Sequence, residues 1–306
     1  MKRRIDDCIS SQRSPKVACF PMRKPVRGSY PSMFVQDICA SFSFGLAHHP
    51  LKRDREFYRV EPSDDTLKDF LTFEDFMFFD RNMDQLLTGA MEDLVSYGKA
   101  YLEIVSWRDT EGNVKGISFA PVKPLIVLKG RGKTLFASVL YNRKLKWYCI
   151  ENRNYIVLRL KDLGFSRIYM QKLMKKIKQY DLTSVTDMSL DPEKIGFDFS
   201  EYIRKSEFNL LKTTKRVYWY GRNGENQYLS ESYMLYRAAK FKMLRKEFLN
   251  YMIQQINMGL NNHKIEIGFC GKLVVDCEDI EYLGEFEKLW AGNINISQLS
   301  KQIFRI

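Results

Sequence analysis

The chain has 306 residues, 45% hydrophobic, 14% aromatic and 28% charged, which excludes a disordered chain and supplies a full core for one elaborated domain or two. Its formal charge of +12 is unevenly placed: residues 1–60 hold 12 basic against 5 acidic side chains, residues 61–100 hold 3 against 10, and residues 101–260 hold 29 against 15. A basic tail and middle favour a polyanionic partner, with a solvated basic surface as the plain alternative, and no apolar run approaches the roughly 18 residues of a membrane-spanning helix.

Residues 1–60 carry Pro15, Pro21, Pro25, Pro31 and Pro50 among scattered Lys and Arg, with no sustained apolar period. They read as a basic arm or loosely packed lead-in. Phe70, Phe73, Phe76, Phe78 and Phe79 follow, flanked by Asp69, Glu74, Asp75 and Asp80. These acids repel a phosphate backbone, so the run is expected as buried core and not as a base-stacking platform.

Leu86, Leu87, Ala90, Met91, Leu94 and Val95 recur at three- and four-residue spacing and predict one apolar helical face. Asp84 is placed to cap this helix, and Gly98 to end it in the left-handed region. Beyond the glycine, Tyr101, Glu103 and Val105 alternate with Leu102, Ile104 and Ser106, as a strand with two unlike faces requires. An exposed strand face is the simplest setting for Glu103. Thr110-Glu111-Gly112-Asn113 then supplies turn chemistry before a return strand through Val114-Lys115-Gly116-Ile117.

From residue 84 to 130 this order resembles the segment that marks tailed-bacteriophage portal proteins, the head-tail connector subunits of the portal vertex. There a helix ends in a Tyr-Gly-Asn-Ala-Tyr-like phrase, here Tyr97-Gly98-Lys99-Ala100-Tyr101, and feeds a hairpin. The return strand leads into an apolar Pro-x-x-Val phrase, here Ala120-Pro121-Val122 through Val127. The resemblance implies an α+β, portal-like fold with a β-rich wing region and a long stem-type helix, and it singles out Tyr97, Gly98, Tyr101 and Glu103 as the family-like corner. It also implies a homo-oligomeric ring, usually a dodecamer, at one capsid vertex of the virion, assembled in the host cytoplasm. Double-stranded DNA in transit, terminase and head-tail connector proteins are then the partners, with no catalysis and no cofactor.

Strand candidates follow at 125–129, 134–141, 145–151 and 155–159, separated by Gly130-Arg131-Gly132, Asn142-Arg143 and Asn152-Arg153-Asn154. Gly130-Arg131-Gly132-Lys133 lacks the spacing of a phosphate-binding loop and no helix follows it, so it reads as a turn. Ser166 is placed to cap a helix with Ile168, Tyr169, Leu173, Ile177 and Tyr180 on one stripe and lysines elsewhere. A polar connector at 181–200 and a short amphipathic piece at 202–211 precede a strand-like Val217-Tyr218-Trp219-Tyr220.

The longest element is expected from about Ser230 to Met258, ended by Gly259, with apolar residues in helical period and no Gly or Pro inside. Arg237, Lys240, Lys242, Arg245 and Lys246 stand on its first half and are the candidate DNA- or subunit-facing residues, against the plain reading of a solvated face. A strand pair at 263–269 and 272–275 and a helix near 280–290 follow, and the closing Ala291-Gly292-Asn293-Ile294-Asn295-Ile296-Ser297-Gln298-Leu299-Ser300 looks like a phrase late in many portals, where a helix, a Gly and a Ser-capped helix follow in sequence. The expected organisation is a basic Pro-containing arm (1–60), an α/β wing-like region (61–160), a helical stem-like region with a connector (161–260), and a C-terminal strand pair with short helices (261–306).

No catalytic constellation is expected. His48 and His49 lie in the lead-in and His263 opens a strand without a signature, while Asp187, Asp191, Glu193 and Asp198 are spaced like a linker. Cys8, Cys19, Cys39, Cys149, Cys270 and Cys277 show no zinc-type spacing and read as free thiols in a reducing setting, so no metal is expected. The competing function is a basic nucleic-acid-binding protein, a replication or regulatory factor without catalytic activity, which fits the charge but shows no reading module.

Overall fold

The computed structural model describes residues 28–39, 58–61, 83–108, 111, 114–139, 145–185, 199–221, 230–263, 271–275 and 282–304. The elements run α1 (Ser29–Cys39), β1 (Tyr58–Glu61), α2 (Met83–Tyr97), β2 (Lys99–Arg108), β3 (Val114–Val122), β4 (Ile126–Lys129), β5 (Lys133–Val139), β6 (Leu145–Glu151) and β7 (Tyr155–Arg159). They continue with α3 (Arg167–Val185), α4 (Phe199–Thr213), α5 (Glu231–Asn261), β8 (Lys272–Val275), α6 (Tyr282–Trp290) and α7 (Ile296–Phe304). The fold is α+β, with small antiparallel sheets and one long helix. The expected Phe70–Phe79 core and, apart from His263, the expected strand at 263–269 lie outside the described residues.

The described residues divide into two compact units. The first holds β1, α2, β2 to β7, β8 and α5 from Leu249 onward. Its central sheet has the order β3-β2-β7, all antiparallel. α2 packs on β2 and β3 with Leu86, Leu87, Met91, Leu94 and Val95 buried, the face that the spacing predicts. A second sheet, β4-β5-β6, turns Phe136, Ile150 and the half-buried Val127 and Tyr148 inward onto Val122 and Tyr155. Sequence spacing gave no partner for β8 among the described strands. This strand lies antiparallel to β1, from Tyr58↔Val275 to Glu61↔Lys272. A four-residue strand at the end of a Pro-rich stretch is too short to show alternation, and its partner stands more than 200 residues away, beyond the reach of local pattern.

The second unit holds α1, α3 from Ile168, α4, α5 through Phe248, α6 and α7. Leu235, Ala238 and Ala239 of α5 bury against Phe286 and Leu299. α1 corrects the reading of 1–60 as a stretch without apolar period: Phe34 and Ile38, four apart, are both buried. Two further details differ from expectation. Residues 214–218 form turns, with Tyr218 at φ 58°, and no strand forms at 217–220. The last helix is capped by Asn295, whose side chain accepts from the Gln298 backbone N–H while Gln298 reaches back to the Asn295 N–H, both at 2.8 Å. This reciprocal box, and not a serine, caps the helix.

Candidate functional site

The family-like corner is built as its residues require. Gly98 sits at φ 77°, its N–H bonded to the Leu94 carbonyl at 2.8 Å and its own carbonyl accepting from Leu160 at 3.1 Å. A Cβ there would lie 2.8 Å from the Arg167 Cβ, so both backbone angle and space demand glycine. α2 begins at Met83, which places Asp84 inside its first turn and not ahead of it. Tyr97 is half-buried, and Tyr101 packs edge-on to Phe136 at 5.8 Å, with burial pushing its phenol above the ordinary range.

Glu103 corrects its expected exposure. It is buried, at 5% of full exposure, because β2 is the central strand and Glu103 stands between Ala120 of β3 and Tyr155 of β7. Strand alternation assigns faces but cannot tell that both faces of this strand are covered. Beside the corner, Asp93 of α2 pairs with Lys123 at 3.0 Å; burial raises the carboxyl, and the lysine offsets only part of that.

The Gly130-Arg131-Gly132-Lys133 segment is a turn, as read. Gly130 N–H bonds to the Lys133 carbonyl at 2.9 Å, and the Asn152 amide donates to the carbonyls of Gly130 and Arg131. With its backbone so engaged, the loop is a corner brace for β5. Thr134 Oγ1 carries the brace inward to Asn152 Oδ1 at 2.7 Å and to the Tyr155 hydroxyl at 2.8 Å. Sequence reading missed this network; the polar Thr134 amid apolar neighbours and the Asn-Arg-Asn run were its available signals.

The basic run of α5 is not one face. Arg237 is buried at 1% exposure in the second unit, where Nη2 donates to Thr214 Oγ1 at 2.9 Å and to the Trp219 carbonyl at 2.8 Å. The guanidinium stacks near Tyr233, 6.0 Å from the ring centre. It draws the Trp219 carbonyl back toward the end of α4, which accounts for a tight turn where a strand was expected. The Trp219 indole donates to Asp37 of α1 at 2.8 Å and its ring meets Phe34 edge-on. Lys240, Lys242, Arg245 and Lys246 are half-buried; Lys240 lies over Tyr236 and Arg245 over Phe241. Arg237 is therefore a structural cation, and the candidate facing residues reduce to the other four.

Near its end α5 presses on the central sheet of the first unit. Gly259, expected to terminate the helix, lies inside it; a Cβ there would fall 2.7 Å from Ile156 and 3.1 Å from Ile104. Closeness of approach, not helix termination, is its function. Tyr251 accepts the Arg159 N–H and donates to Asp162, both at 2.9 Å, with burial the main cause of its phenol being pushed up to about 12. His263 lies in the turn after α5 and opens no described strand; its Nε2 is 3.2 Å from the Arg153 carbonyl.

Among the described residues, no three or more His, Cys, Asp or Glu side chains gather as a metal-binding group, and no helix is long and apolar enough to cross a membrane. Cys39 and Cys149 are free thiols.

No family model matches the chain, and no curated protein does. Among solved structures, it is similar to a chain in the neck of an empty GTA particle computed with C6 symmetry, with TM-score 0.48, 11% identity and 88% of each chain covered. It is also similar to a chain in the virion of a native gene transfer agent particle, with TM-score 0.42, 12% identity and 90% of each chain covered. A third similar structure is an HK97 family phage portal protein from Corynebacterium diphtheriae, with TM-score 0.35, 10% identity, and coverage of 83% of this chain and 96% of that one.

Proposed function

We propose that this chain is the subunit of a phage portal ring that forms the channel for DNA packaging and ejection at the capsid vertex. The observation that carries the reading is the corner at Gly98: the phrase that resembles the portal segment is built as a helix, a left-handed glycine and an antiparallel hairpin, closed by Leu160 and Arg167. In this reading the chemistry is mechanical, with large subunit interfaces and a lined pore. Terminase and head-tail connector proteins dock on the ring, the β-rich residues form a wing and α5 a stem. Lys240, Lys242, Arg245 and Lys246 meet a neighbouring subunit, because all four are half-buried and two of them, Lys240 and Arg245, lie over aromatic rings, which suits packing more than a phosphate-binding face.

Duplex binding against salt separates this from a DNA-binding factor. With Lys242, Arg245 and Lys246 each reversed to Glu, the expected result is weak binding before and after the change, and altered ring assembly. Strong native binding that vanishes on reversal, with the salt slope falling by close to one unit per lost phosphate contact and no ring at any stage, overturns the proposal.

A further inference from the structure

Both faces of the β4-β5-β6 sheet carry large apolar side chains. One face holds Phe136 and Ile150 against the core. On the other, Leu128 pairs across to Leu135, and Ile126 and Trp147 flank Ala137 from either side. Leu128 stays 52% exposed, Leu145 and Trp147 45%, Leu135 41% and Ile126 39%. An antiparallel sheet with one covered face normally turns polar side chains to water, so a row of this kind marks an interface.

Charge identifies what fits it. Residues 123–151, which span this sheet, contain seven Lys and Arg against a single acid, Glu151. A copy of the same face brought against it would set cations on cations, so a self-matching contact is disfavoured. Of the acidic segments of the chain, which include 276–290, the one richest in phenylalanine is 62–82. Residues 62–82 carry six acids against two bases, with Phe70, Phe73, Phe76, Phe78 and Phe79 among them. Acidic groups complement the basic rim, and phenylalanines complement the leucines and Trp147.

We propose that the outer face of β4-β5-β6 docks the acidic, aromatic segment 62–82 of a second copy of this chain. The choice of a second copy rests on the ring reading above: a contact between two different patches is head-to-tail, and head-to-tail contacts generate rings when the rotation closes. The interface core is Trp147 with Leu128 and Leu135, and the lysines at its rim steer the acids into register.

Complementation tests it. One full-length variant carries Leu135→Asp and Trp147→Asp on the face; a second carries Phe76→Ser and Phe79→Ser on the segment. Each is checked for a native-like melt and sized by light scattering. The face substitutions are at exposed positions, and a single Trp147→Asp variant replaces the double one if that fails to fold. Native protein is expected to assemble, each variant alone to be monomeric, and an equimolar mixture to give 1:1 dimers and nothing larger, since only one intact face and one intact segment then meet. A face variant that assembles like the native protein overturns the inference and leaves the ring reading standing. A mixture that stays monomeric overturns the pairing of these two patches. A native protein that is monomeric throughout overturns both readings.

Discussion

The corner at Gly98 and the knot at Arg237 both fasten the end of a helix to the next stretch of chain, by opposite means. At Gly98 the fastening is backbone and shape: a residue without a side chain, a left-handed φ, and a neighbour at 2.8 Å that leaves no room for a Cβ. At Arg237 it is a buried cation satisfying the Trp219 carbonyl and Thr214 Oγ1 beyond the end of α4. A backbone fastening is written at its own position in the sequence. One made by a side chain reaching across 18 or 23 residues is not, and a cation spent that way is lost to the surface it was expected to build.

The largest expected effect falls on the buried cation. Arg237→Ala leaves the Trp219 carbonyl and Thr214 with a lost donor and opens a gap beneath Tyr233, for a cost of about 3 kcal/mol in denaturant unfolding. Arg237→Lys keeps the charge without the planar fork and is expected to recover less than half of that loss. If both variants match the native protein, Arg237 does not tie the turn and the contrast with Gly98 fails.

Next comes the corner. Gly98→Val sets a β-branched side chain at positive φ against Arg167 and is expected to cost about 2 kcal/mol, with Gly98→Asn retaining most of the stability. Unchanged unfolding on the Val substitution would refute the corner.

Gly259, unlike Gly98, is a glycine of space and not of angle. Gly259→Ala gains helix propensity of about 1 kcal/mol and loses more to overpacking on Ile156, for a net loss of about 1 kcal/mol. Ile156→Val should relieve part of it, so the double variant is more stable than the sum of the single effects predicts. Additive losses would mean that the two side chains do not meet.

The smallest effect is in alkali. Tyr251 has its folded phenol raised from 10.0 to about 12. The neutral form is the one that the fold favours, so this contribution is fully present below pH 10 and is lost as pH rises through about 12. Unfolding free energy should fall across that window more steeply for the native protein than for Tyr251→Phe. Parallel curves would show that Tyr251 is not held between Arg159 and Asp162.

Much of the first unit was legible. Spacing marked α2 and its buried face, glycine marked the corner, and turn residues separated β4, β5, β6 and β7 close to where they stand. All of these depend on neighbours a few residues apart. Illegible were features set by partners distant in sequence: the burial of Glu103 on a central strand, the pairing of β1 with β8, the turn at Trp219, and the outer face of β4-β5-β6. In the last case both sets of alternating residues include large apolar side chains, so pattern alone does not say which face the core takes.

Self-assembly into a ring can be seen by negative-stain electron microscopy of the native protein at micromolar concentration, where closed rings with a central channel and a mass many times that of one chain are expected. A uniform field of particles the size of one or two chains, unchanged from low to high salt, would rule the ring out.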